Sequence, residues 1–145
     1  MTPFKQQLWV VTKIWIIAVL INTILGTCIL GMGEDLSIMG LLLLYGFVMG
    51  GLFSLPVAII LLLIIYFIVS RFNTGIWLFW IVLASGIALT IATFSAFSLW
   101  IDGALLFSNG LLAAALFAGS TAIFTQYNTL IKIGKEPNYE EEFSF

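Results

Sequence analysis

Residues 38–70 read IMGLLLLYGFVMGGLFSLPVAIILLLIIYFIVS, a run of 33 positions without one Asp, Glu, Lys, Arg or His. A bilayer core about 30 Å thick is crossed by roughly 20 apolar residues of helix. Inside lipid every backbone N–H and C=O must be paired within the segment or a closed sheet. The run therefore predicts a membrane-spanning α-helix, and the chain repeats the signal on both sides of it. Residues 14–32, 75–100 and 104–126 are equally free of charge. The expected fold class is an all-α integral membrane protein, a compact four-transmembrane-helix bundle. It forms one domain over residues 1–133, and an acidic tail follows at 134–145.

Composition points the same way. Hydrophobic residues make up 62% of the chain and charged residues 8%, whereas soluble domains carry about 25% charged residues. So few charges cannot cover a water-facing surface, and the lipid bilayer is the first expected partner. The five basic residues set the orientation. Lys5 and Lys13 precede span one, Arg71 separates spans two and three, and Lys132 and Lys135 follow span four. In a four-span chain these segments share a side, which by the positive-inside rule is the cytoplasm. Both termini are expected there, in a bacterial inner (plasma) membrane. Glu34, Asp35 and Asp102 then face outward, and Glu136, Glu140, Glu141 and Glu142 stay inside.

Span one is read as a retained helix rather than a signal peptide. Its apolar run is long for a signal, and Gly26-Thr27-Cys28 is a poor small-x-small cleavage site. Cys28 is the single cysteine and is expected as a small buried side chain. Thr2-Pro3 suits a helix start, and Trp9, Trp15, Trp77 and Trp80 are expected at the inner headgroup level, with Trp100 at the outer one. Ser37 and Asp102 are expected as caps of spans two and four. Gly134 is expected to cap the last helix, with Lys132 complementing its negative dipole end.

Span two is too long. At 1.5 Å per residue its length approaches about 50 Å, so it must bend, tilt or protrude. Gly50-Gly51 and Pro56 supply a cause, because proline removes a helical hydrogen bond and crowds the preceding turn. A helix kinked between Gly50 and Pro56 is expected. The alternative is a broken helix with Ile38–Met49 lying at the interface or re-entering, an arrangement that exposes backbone groups to ligands.

Small residues recur every four positions, which aligns them on one helix face. They are Ala18, Asn22 and Gly26 in span one, Gly46, Gly50, Ser54 and Ala58 in span two, Ala84, Ala88, Ala92 and Ala96 in span three, and Gly110, Ala114, Ala118 and Ala122 in span four. Helices in lipid associate through close backbone approach and polar contacts, so these stripes are expected as packing seams or as the lining of a pore. Asn22 is the most polar side chain well inside a span and is expected to bond to a neighbouring helix or a second copy, for about 0.6 kcal/mol.

Catalysis is not expected. The chain has no histidine and no ionisable group deep in a span, so general bases and metal or haem ligands are missing. No cofactor and no nucleic-acid partner are expected, and proton-coupled transport lacks its usual intramembrane acid. Function is therefore expected to rest on helix association, as an accessory, structural or regulatory subunit of a membrane complex. Two alternatives are a homo-oligomeric channel for a neutral solute and an immunity protein against a membrane-active toxin. In the tail, Tyr139, Phe143 and Phe145 alternate with acid and form a candidate docking segment for a cytoplasmic partner.

Overall fold

The computed structural model describes residues 3–32, 35–72, 74–100 and 109–135. They form five helices, α1 (Pro3–Leu30), α2 (Leu36–Arg71), α3 (Ile76–Trp100), α4 (Asn109–Thr125) and α5 (Tyr127–Lys135), and no strand occurs among them. α1, α2 and α3 are each long and apolar enough to cross a membrane, and α4 with α5 makes a fourth crossing if the pair is one span. Three to four such helices suit insertion in a bilayer. The expected roles of Thr2, Glu34, Asp102, Pro137 and the tail residues Tyr139, Phe143 and Phe145 fall outside the described residues.

α2 is one helix of 36 residues that runs unbroken through Gly50, Gly51 and Pro56, so the broken or re-entrant arrangement is not found. Pro56 is exposed, turned away from the other helices. Its N-cap is Asp35, whose side chain makes no capping bond. Instead the Asp35 carbonyl accepts from the Ile38 and Met39 amides, at 3.0 and 3.1 Å. Ser37, expected as the cap, lies inside the first turn. The helix stops at Phe72, which turns extended while its N–H still donates to the Ile68 carbonyl at 2.9 Å.

α1 packs against both α2 and α4, and α3 packs against α4, α2 and α5. The end of the bundle that holds the start of α1, the α2–α3 turn and α5 is called the base here. A single cluster of buried apolar side chains closes it, running from Val10 and Ile14 through Leu61, Ile65 and Val69 to Leu78, Phe79 and Val82, and on to Ile123, Leu130 and Ile133. Phe79 sits at its centre, 1% exposed, with Trp80, Phe124 and Tyr127 edge-on at 5.2, 5.2 and 4.8 Å. Edge-to-face rings at these distances gain about 0.5–1.5 kcal/mol per pair beyond burial.

The last span departs from expectation. α4 ends at Thr125 and the chain turns by 57° into α5. At the turn the Gln126 amide donates to the Ile123 carbonyl, three residues back, at 3.0 Å; this tightens the helix and redirects it without proline. α5 is short and two-sided, with Leu130 and Ile133 buried and Asn128, Lys132 and Lys135 exposed. Gly134 is not a terminal cap. It is a buried residue of α5, and its carbonyl accepts from the Thr74 and Gly75 amides at 3.0 and 2.8 Å. A Cβ at Gly134 would stand 2.6 Å from the Gly75 carbonyl oxygen, so only glycine permits this approach. Gly75 itself holds φ at +51°, the left-handed region that glycine occupies without strain. The bundle thus includes residues that were assigned to the tail.

Away from the base the helices behave differently. α1 and α4 continue to bury residues along their length, at Val19, Thr23, Thr27, Ala114 and Ala118. In α2 no described residue before Leu61 is buried, and in α3 none between Leu83 and Ala96 is. The far halves of α2 and α3 therefore stand apart above a paired α1 and α4.

Candidate functional site

The space left between those halves is a cavity of about 550 Å³, walled by all four long helices. It ends toward the base at Val11, Ile14, Leu61 and Ile123, where the buried cluster begins. Four of its lining residues are also exposed: Leu30 at the end of α1, Tyr45 and Phe53 on α2, and Ile87 on α3. Tyr45, Phe53 and Ile87 mark a mouth between α2 and α3 that opens sideways, and Leu30 lies at the far end of the cavity.

The α1 wall is the face of Trp15, Ala18, Asn22 and Gly26, residues spaced three or four apart and so stacked along one side of the helix. Trp15 turns inward, toward α2. Its indole N–H donates to the Ser54 hydroxyl of α2 at 2.8 Å, and that hydroxyl donates to the Gly50 carbonyl at 2.7 Å. This is a polar link between two spanning helices, and it fixes the lower part of the wall. About two turns further along α1, the Asn22 amide lines the cavity and has no hydrogen-bond partner among the described residues. The Thr23 hydroxyl beside it is buried and also unpartnered, pressed toward α2 where Gly46 and Gly50 leave room. Thr90 and Thr93 of α3 face the cavity too, yet their hydroxyls donate back to the Gly86 and Leu89 carbonyls, each at 2.8 Å. Bonded this way they offer little to a ligand.

The chain matches no family model, no curated protein and no solved structure. The residues must speak for themselves.

The small-residue stripes take three different places. Ala18, Asn22, Gly26, Gly46, Gly50 and Ser54 all line the cavity. Ala114, Ala118 and Ala122 of α4 are buried, at 7%, 1% and 0% exposure, while Gly110 is exposed. The α3 stripe is on the wrong side for an internal seam, because Ala84, Ala88, Ala92 and Ala96 are all exposed. The inward face of α3 is instead Leu78, Phe79 and Val82, continued by Gly86, where an added Cβ would stand 2.8 Å from the Ile123 Cδ1. Cys28 is exposed as well, so its expected burial is not found. Pro56 is not among the cavity's lining residues.

At the base, Lys13 stands over the Trp9 ring at 5.1 Å and Arg71 over the Phe67 ring at 4.8 Å, contacts that hold a cation against an apolar surface. Gln7 was passed over in the sequence. It is 1% exposed, and neither its amide oxygen nor its nitrogen has a partner. The signal was present, because Gln7 precedes Val10, Val11 and Ile14 at the spacing of one helix face.

Proposed function

We propose that this chain is a four-span protein of a bacterial inner membrane, with both termini cytoplasmic, and that it acts as an accessory or regulatory subunit of a membrane complex. The observation that carries the reading is the α3 stripe. Ala84, Ala88, Ala92 and Ala96 repeat at the helical spacing that lets helices approach closely in lipid, and all four face away from their own bundle. A face built for close packing and left unused by the described residues suits a helix from another membrane protein. The orientation rests on charge. All five basic residues belong to the base, on the early part of α1, the end of α2 and α5, which is the pattern of the cytoplasmic side.

A channel through one chain gains no support from the cavity, which stops at the buried cluster. The test is gentle extraction of the tagged chain from its native membrane, with mass determination of the intact particle. A foreign subunit in fixed ratio is expected, and Ala88→Phe is expected to release it while leaving the chain's own melting unchanged. A particle made only of this chain overturns the reading.

A further inference from the structure

We propose that the cavity between the far halves of α2 and α3 is a binding site for an uncharged lipid, a molecule with an acyl or isoprenoid body and one hydroxyl or carbonyl head that the Asn22 amide holds. Four observations converge on this chemistry. The volume, about 550 Å³, lies in the range of small-molecule sites, roughly 300–1,000 Å³. Among the described residues no Asp, Glu, Lys or Arg lines it, so none of them would compensate a charged ligand in a region of low dielectric. Its side mouth is flanked by Tyr45, Phe53 and Ile87, on helices whose exposed faces are apolar, so an apolar ligand can enter there from a bilayer. Within this apolar lining the Asn22 amide offers two donors and one acceptor and has no partner among the described residues.

The competing occupant is a transmembrane helix from a partner. Its backbone groups are already paired internally, so it would answer Asn22 only through a polar side chain. A lipid head brings that group by its nature. The small side chains of the walls explain the hollow: Ala18, Gly26, Gly46 and Gly50 leave volume that larger residues would occupy. Gly119 of α4 lines the cavity as well, and a Cβ added there meets nothing within 4 Å. The site can therefore be filled from that position without forcing a neighbour aside.

Trp15 lines the same wall and reports on occupancy through its fluorescence. The probe is a monoacylglycerol with two bromines on its chain, added in steps to the full-length protein in nanodiscs, with a bromoalkane of equal chain length as the headless control. Saturable quenching near one monoacylglycerol per chain is expected, and Trp15→Phe should remove that saturable part. Gly119→Leu, with unchanged helix content, should leave only the linear quenching that bulk lipid produces. Asn22→Leu should weaken the monoacylglycerol at least about fivefold and leave the bromoalkane unaffected. Quenching that is linear in the parent chain overturns the site. Saturable quenching that Asn22→Leu does not change overturns the role of the amide, and saturable quenching that survives Gly119→Leu places the probe elsewhere. None of these readings depends on whether a foreign subunit binds the α3 face.

Discussion

The base of the bundle and its far half are built from the same apolar alphabet, yet one is closed and the other open. At the base, large side chains from every helix interlock around Phe79, and a glycine pair lets two backbones touch. In the far half α2 offers Gly46, Gly50 and Ser54 and α1 offers Ala18, Asn22 and Gly26, and the result is a hollow. In water such a hollow would be squeezed by the hydrophobic effect, but in lipid that pressure between helices is largely missing. Packing alone then decides closure. Where side chains have matching bulk the helices close, and where they are small they close only if the backbones approach all the way.

That contrast is exposed to direct attack. The largest effect is expected at Gly134→Leu, where a side chain must enter a space in which even a Cβ stands 2.6 Å from backbone. Overpacking of this kind costs about 3 kcal/mol, and thermal melting of the detergent-solubilised chain should fall sharply. Next comes Ile65→Ala in the closed cluster, set beside Leu41→Ala on the exposed far half of α2. The first should lose about 2 kcal/mol, the low end for a core truncation because lipid supplies no transfer penalty, and the second should stay within about 0.5 kcal/mol. Equal losses at the two sites would erase the distinction between base and far half. The smallest effect is a gain: Gln7→Leu removes two buried, unpartnered polar atoms and should stabilise the base by about 1 kcal/mol, read as a higher melting temperature.

Much of the fold was legible because lipid leaves so few options. Runs without charge must be helices, and α2 and α3 begin and end within two residues of the expected limits of spans two and three. In the stripe on α4, Ala114, Ala118 and Ala122 are buried and Gly110 is exposed. What the residues could not say was which way a stripe faces. Ala84, Ala88 and Ala92 have the same spacing as the α4 alanines, but α3 turns a bulkier face inward, and in a helix apolar all round no polar side marks the outside. The turn at Gln126 was hidden for a related reason. No proline or glycine announces it, and Gly134 looked like a cap because its real role depends on Gly75, which is distant in sequence. Asn22 stood out as the most polar side chain well inside a span, but its surroundings became visible only once four helices were placed around it.

The clasp between Gly75 and Gly134 also bears on how the molecule is made. The turn after α2 leaves the ribosome early, whereas the carbonyl that receives its two amides emerges only after another helix, a connection and α4 have followed. α1, α2 and α3 are therefore made while the base is unsealed, and Leu130, Ile133 and Gly134 complete it on arrival. Synthesis of the final short helix acts as the latch, so a chain cut before Tyr127 would keep its long helices and still lack the piece that fastens them together.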